Sequence, residues 1–466
     1  MRGRPIRKLL IGAGIAGLLT SCVAYHPVAR PPGTLLAGHD DQTVDLAAVR
    51  AAAAAIAPRP AKGWDRLDYF VAMERYNPDV IAARAAVATA IANGRAARTG
   101  NSPTLTLTAE YAHDVTASSP WLIGGAIDIP LDTGGRRAAR LATADLAVLS
   151  ARYDLAEAIW QTRSAIRKAL AQRLIADRQR VLLDRLAEYR DRQLAAAERR
   201  LAAGEIARGD VERVRADGAN VRRRQQDAAA SIRAADAALA AAVGVPASAL
   251  KGIDPVWDDF DLPAETAPLV DAETRRAAIL SRADVLKAVV DYQTAEADLR
   301  GEIAKQYPAF TISPGYTWER GLVKVPFALG LVLPPFDLNR RNIRAAEAKR
   351  AEAGTKLEAV VAGAASAVEA ALVEARASRA ALADVRAREV PVARRLAAQA
   401  DRAIGAGAID RVDWSAAQAG AIEAELAALD ALTRVHAADA ALEDAARRPL
   451  TGPETAIKAR GEGDKP

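Results

Sequence analysis

The chain is written twice, and that duplication limits what it can fold into more than any other feature of its 466 residues. Asp79-Val80 returns about 205 residues later as Asp284-Val285, Pro103 as Pro308, Thr106 as Thr311, Tyr111 as Tyr316, Pro130 as Pro335, Asp132 as Asp337 and Arg136 as Arg341. Further on the offset drifts by two, and Gly204, Ile206, Arg208 and Asp210 return as Gly407, Ile409, Arg411 and Asp413. Each copy sets one pair of strand-like runs between long helical stretches. A unit of this kind does not bury its apolar face alone, so the duplication points to stacked repeats rather than two independent enzymes.

The strand-like runs have a period of two. Leu105, Leu107, Ala109 and Tyr111 fall on one face, with Thr104, Thr106, Thr108 and Glu110 on the other. Past a short turn, Trp121, Ile123, Ile127 and Ile129 share a face opposite Gly124, Ala126 and Asp128. The spacing predicts strands over about 103–113 and 120–131, and in the second copy over about 308–319 and 322–334. Phe310, Ile312, Tyr316 and Trp318 repeat the apolar face there, continued by Val323, Val325, Phe327, Leu329, Leu331 and Leu333, with Pro326 inside the last run. Nothing else reads as a strand, so no second sheet is available to cover these faces. Runs of about ten residues suit tilted transmembrane strands, and apolar-out, polar-in alternation is the β-barrel pattern. Four strands do not close a barrel, for which about eight is the minimum, so several chains would have to share one.

Between the strand pairs the pattern is helical. Arg136 to Ala203 contains neither Gly nor Pro, and its 68 residues would reach roughly 100 Å as one helix. Gly204 to Gly209 reverses the chain, and a return helix runs to Val243, before Gly244-Val245-Pro246. Another helical stretch is predicted from about Asp65 to Ala97. Two short helices end to end can lie beside one long helix, which makes each repeat a strand pair standing on a helical column. In the second column Gly354, Gly363 and Pro391 interrupt the pattern, and Pro391 should kink or break the long helix. Arg222-Arg223-Arg224 reads as a solvated face.

Repeats of 65–245 and 271–447 leave three other segments. Residues 246–270 form an irregular inter-repeat linker with the run Asp258-Asp259-Phe260-Asp261, better read as a surface linker against the helices than as a metal site. Residues 448–466 read as a loose polar tail. At the other end, Arg2, Arg4, Arg7 and Lys8 precede an apolar run from Leu9 to Leu19 that is too short to span a bilayer, so residues 1–21 read as an export signal. The run ends in Leu19-Thr20-Ser21-Cys22, which resembles the lipobox of bacterial lipoproteins. Cys22 is the only cysteine, and the alternative is a plain secretory signal with an incidental Cys. Residues 22–64, rich in Pro and Ala, then form a lipid-anchored tether, and Val23 after the cysteine implies, by the same resemblance, the outer membrane.

Signal removal leaves 60 Lys and Arg against 58 Asp and Glu, which removes the argument for a nucleic-acid partner. Gly12-x-Gly14-x-x-Gly17 has the spacing of a dinucleotide fingerprint but lies inside the signal, with no strand before it. The four histidines, His26, His39, His113 and His436, are isolated, and no catalytic triad or metal-ligand cluster is present, so no catalytic residue, metal or cofactor is expected.

Taken in order, the motifs resemble the TolC-type outer-membrane efflux duct family over about residues 65–446. The carriers are Asn77-Pro78-Asp79-Val80, echoed by Arg282-Ala283-Asp284-Val285, and Pro103-Thr104-Leu105-Thr106-Leu107, echoed by Pro308-Ala309-Phe310-Thr311-Ile312. Pro130-Leu131-Asp132-Thr133-Gly134-Gly135-Arg136 is echoed by Pro335-Phe336-Asp337-Leu338-Asn339-Arg340-Arg341, and the reversals at Gly204–Val211 and Gly407–Asp413 complete the set. The resemblance implies a mainly α fold of two tandem repeats, each two β-strands plus long antiparallel helices, with a transmembrane β-hairpin pair per chain. It further implies a homotrimeric α/β barrel duct in outer-membrane lipid, a periplasmic adaptor (membrane fusion) protein and an inner-membrane pump as partners, and no chemistry of the duct's own.

By that resemblance the helix-reversal tip, with Gly204, Ile206, Arg208, Gly407, Ile409 and Arg411, contacts the adaptor, and Asp413 and Asp210 are candidates for a periplasmic gate. Rings of carboxylates in a narrow pore concentrate cations. Either aspartate is also readable as a cap of its return helix, and for Asp210 the cap is the stronger reading. Ala416 stands where some relatives place a further acid. The function implied is passive efflux of small toxic compounds; a type I protein-export duct of the same fold, or a periplasmic coiled-coil adaptor or scaffold lipoprotein, are the alternatives.

Overall fold

The computed structural model describes residues 25–58, 62–111, 119–262, 271–319 and 321–457. The export signal and Cys22 lie outside the described residues, as do residues 112–118 and the end of the tail. Two units are present, one ending at Thr43 and the other beginning at Val44. The first holds α1 (Pro32–Asp40), which starts on a proline and has no buried residue.

The second unit begins earlier than the composition suggests. Asp45 accepts the Ala48 amide at 2.9 Å and so starts α2 (Leu46–Ala54). Val49 and Ala53 on α2 pack into one core with Leu67, Met73, Ile166, Leu170 and Val243. Ala-rich sequence hides this small apolar stripe, so residues 44–57, assigned to the tether from sequence, belong to the folded body. The helix expected from Asp65 to Ala97 is two helices, α3 (Arg66–Tyr76) and α4 (Pro78–Arg98). Asn77 separates them: its side-chain oxygen accepts the Asp79 and Val80 amides, its Nδ2 donates to Ala242 O at 2.9 Å, and Pro78 suits a first helical position.

After β1 (Thr104–Tyr111) and β2 (Trp121–Leu131), α5 (Arg136–Ala202) runs 67 residues without a break. The return helix α6 (Arg208–Val243) is 36 residues long. The second copy follows with α7 (Ala272–Leu280), α8 (Ala283–Ala304), β3 (Ala309–Glu319), β4 (Leu322–Lys324), β5 (Phe327–Val332), α9 (Arg340–Asp384), α10 (Val390–Gly405) and α11 (Arg411–Ala446), the last again 36 residues. Where α5 is continuous, α9 and α10 are joined by a π-helical turn at Val385–Glu389. Pro391 explains it, because its missing N–H and its ring cannot be fitted into regular i→i−4 geometry.

All strand pairs are antiparallel, in the order β1-β2-β3 with β4 and β5 both on the far side of β3. The two copies therefore share one sheet, joined by β2 and β3 in a register that sets Ile129 against Ile312 and Ile123 against Trp318. The strand expected over 322–334 is two pieces. Pro326 has no N–H for the ladder, but its carbonyl accepts the Gly315 amide at 2.8 Å, so the edge bends instead of parting.

The described part of the inter-repeat linker, residues 246–262, packs against the helical body. Trp64 and Pro255 form a parallel bridge, and Phe260, in the acidic run, is fully buried. Nor is the start of the tail loose: Glu454 is 2% exposed and Ile457 packs on the first core. Composition reports polar residues there and not the buried cations that hold them.

Candidate functional site

Three places in the second unit carry features that packing alone does not explain. The first is the sheet. Leu105, Leu107, Ile123, Ile127, Ile129, Phe327, Leu329 and Leu331 lie on one face, and all are exposed. Its edge strands, β1 on one side and β4–β5 on the other, have no further strand partner among the described residues. Aromatics mark both ends: Tyr111 meets Trp121 edge to face at 5.1 Å, and Phe336 stands fully exposed past β5. Water disfavours an uncovered apolar face, and unpaired edges invite further strands. On the opposite face Asp128 takes hydrogen bonds from Thr106 on β1, at 3.2 Å, and Ser313 on β3. One carboxylate thus ties three strands of a Gly-rich sheet whose register would otherwise be weakly fixed. Among the described residues no helix is long and apolar enough to cross a membrane.

The helix reversals are the second place. Both close with the same backbone motif. Gly204 N–H donates to Leu201 O at 3.0 Å and Glu205 N–H to Arg200 O at 2.9 Å; Gly407 donates to Ile404 O at 3.1 Å and Ala408 to Ala403 O at 2.8 Å. The glycines sit at φ +76° and +68°, a left-handed conformation that side chains resist. Ile206 and Ile409 are half-buried, while Arg208 and Arg411 are exposed. The structure brings the two reversals together: Arg200 on α5 donates to Asp410 at 2.7 Å, and Tyr189 meets Trp414 edge to face at 5.6 Å.

Neither candidate aspartate is a helix cap. Asp410 is the cap of α11, accepting the Val412 and Asp413 amides at 2.8 Å each. Asp413 is exposed and makes no side-chain ion pair among the described residues. On α6 the cap position is Ala207, which offers no side-chain acceptor, and exposed Asp210 pairs with Arg213 at 3.5 Å. The cap alternative is therefore corrected for both. Asp410 was missed in the sequence, although Asp410-x-x-Asp413 has the capping-box spacing that marks it.

The third place is a buried ionic knot where α3, α5, the linker, α11 and the tail meet. Glu443 accepts both Nη atoms of Arg163 at 3.0 Å and approaches Arg167 Nε at 3.0 Å. Glu454 bridges Arg66 at 3.4 Å and Arg163 at 3.5 Å. Burial alone would raise the Glu443 pKa, but the Arg167 and Arg163 charges outweigh it and hold the carboxyl below its usual range. Trp257 lies under Arg66 at 4.2 Å, and Phe260 stacks on His436 at 4.2 Å. No metal-holding cluster of His, Cys, Asp or Glu occurs among the described residues. The residues of the knot come from five segments far apart in sequence, so no local signal marks it.

A sheet with a bare apolar face, carried on two duplicated helical columns, is matched by one sequence family. The profile described as outer membrane efflux protein fits residues 72–245 and then again 274–446, once per copy. The chain belongs to the outer membrane efflux protein family. Solved structures agree in fold. The outer membrane protein VceC of Vibrio cholerae superposes with a TM-score of 0.68 at 18% identity, over 83% of this chain and 97% of that one. The outer-membrane channel OprN gives 0.70 at 18%, over 91% and 99%. The MtrE outer membrane channel of Neisseria gonorrhoeae, described in its open state, gives 0.64 at 18%, over 82% and 89%. No curated protein matches the sequence. Membership places the chain among outer-membrane efflux channels of mostly helical, two-repeat fold with a small sheet.

Proposed function

We propose that three copies of this chain form a passive duct across the outer membrane and periplasm, the exit of a tripartite efflux system for small toxic compounds. The observation that carries this is the sheet: among the described residues its apolar face has no cover and its two edges have no strand partner. Lipid supplies the cover and neighbouring copies the partners, with three sheets giving a closed barrel. The helical columns continue the lumen into the periplasm, where a periplasmic adaptor joins the reversals near Gly204 and Gly407 and an inner-membrane pump supplies the energy. The duct performs no chemistry. Cys22, lipidated after signal cleavage, anchors each copy. MtrE and OprN, which share the fold, are themselves outer-membrane channels.

The test is the full-length protein purified from membranes. Light scattering in detergent should give a trimer, and planar bilayers should show stepwise conductance. Incorporation of a palmitate analogue should be lost in Cys22→Ala. A monomer that stays in water without detergent and opens no pore would refute the duct.

A further inference from the structure

We propose that the groove between α5 and the α10–α11 hairpin is a binding site for a small organic anion with an aromatic body. The groove has a volume of about 540 Å³ and is walled by Arg192, Arg199, Asp401, Ile404, Arg411, Trp414 and Ser415. That size lies within the roughly 300–1,000 Å³ of small-molecule sites.

Its charge is unbalanced. Arg199 and Arg411 make no ion pair among the described residues, and Arg192 reaches Glu188 only at 3.7 Å. The one carboxylate, Asp401, is already engaged, accepting from Trp414 Nε1 and from Gln418 Nε2 at 2.8 Å each. Guanidinium forks without carboxylates of their own select a planar oxyanion. Ser415 points to a ligand independently of the arginines: it is 1% exposed and its hydroxyl has no hydrogen-bond partner among the described residues. Leaving a buried hydroxyl unsatisfied is unfavourable, and a ligand oxygen in the groove would relieve it. The aromatic requirement comes from Trp414. Its N–H is tied to Asp401 and its ring is steadied by Tyr189, which leaves the indole and Ile404 as an apolar wall. The groove lies beside the Arg200–Asp410 bridge, so an occupant touches both helix reversals at once.

Binding is read on the purified full-length protein in detergent by calorimetry, independently of pore activity and so of the duct reading. The probes are 2-naphthoate, its uncharged amide and inorganic phosphate. Naphthoate should bind saturably, once per chain, and more tightly than either of the others. Joint replacement Arg199→Gln and Arg411→Gln, at exposed positions that leave folding intact, should weaken it about tenfold or more, and Ser415→Ala should weaken it less. The site is overturned if naphthoate does not bind, if the double variant binds it unchanged, or if the amide or phosphate binds as tightly.

Discussion

Arg200, three residues before the turn that ends α5, donates to Asp410 across 2.7 Å and so joins the reversal of the first repeat to the capping residue of the second. Both side chains are about two-fifths exposed, at 38% and 40%, which places the pair among surface ion pairs worth about 0.2–1 kcal/mol. In the duct reading this bridge helps hold the periplasmic end closed. Arg200→Ala removes the bridge and keeps the cap, so it should raise the open population by about 1.5- to 5-fold, read as open probability in planar bilayers. Asp410→Ala loses the cap as well, about 1 kcal/mol more, and should also lower thermal stability. Equal open probability in wild type and Arg200→Ala would separate the bridge from gating.

Asp413 stands one turn beyond that cap, exposed and unpaired among the described residues. If three copies ring a narrow entrance, removing their charge relieves mutual repulsion and cation trapping together. Asp413→Ala should therefore raise single-channel conductance and reduce the preference for K+ over Cl−. Asp210→Ala, whose charge is shared with Arg213, should do less. Unchanged conductance and unchanged reversal potential in Asp413→Ala remove it from the gate.

Glu454 follows a glycine whose conformation is as telling as its own charge. Gly452 sits at φ +88°, and a Cβ there would fall 1.7 Å from Arg66 Nη2, so the tail crosses directly over the guanidinium that Glu454 neutralises. Breaking a buried pair leaves an uncompensated cation at a cost of about 3–5 kcal/mol. Glu454→Gln and Gly452→Ala should both lower the unfolding temperature sharply, while Glu205→Gln, on an exposed pair, should not. A Glu454→Gln protein melting with wild type would show that the tail contributes nothing.

How much of this was legible follows from which interactions are local. The glycines of the reversals, the unbroken α5 and the alternating strands each declare themselves within a few residues, so period and punctuation place them. Asn77 was readable as a break only by trusting its proline over the helical periodicity on either side. Phe260, Glu454 and His436 were illegible for a different reason. Phe260 and His436 are 176 positions apart, and neither residue's neighbours in sequence resemble its neighbours in space. The same holds for the gate candidates: chain order gave one per tip, Asp210 and Asp413, and only geometry distinguishes Asp410, engaged by amides and Arg200, from its neighbour Asp413.

His436 gives the pH prediction. Its Nε2 lies 2.9 Å from the Phe260 carbonyl oxygen and so carries the proton, while Nδ1 is buried with no hydrogen-bond partner among the described residues. Protonating Nδ1 would place a charge against the Phe260 and Trp257 rings and near Arg167, Arg66 and Arg178. Burial, more than those cations, pushes the pKa down from 6.5 to about 4. Between those values the unfolded chain binds the proton and the folded chain refuses it, so this group's contribution is complete above pH 6.5 and is lost as pH falls toward 4. The full loss is roughly 3 kcal/mol. Glu443, also held below its usual range, pushes in the same direction, and Asp439, raised by burial, pushes against it; both titrate alike in wild type and variant. His436→Gln keeps a donor to Phe260 and has nothing to titrate. Between pH 7 and 4.5 the unfolding temperature of wild type should therefore fall further than that of His436→Gln, and parallel curves would show that the buried ring does not set the acid sensitivity of this core.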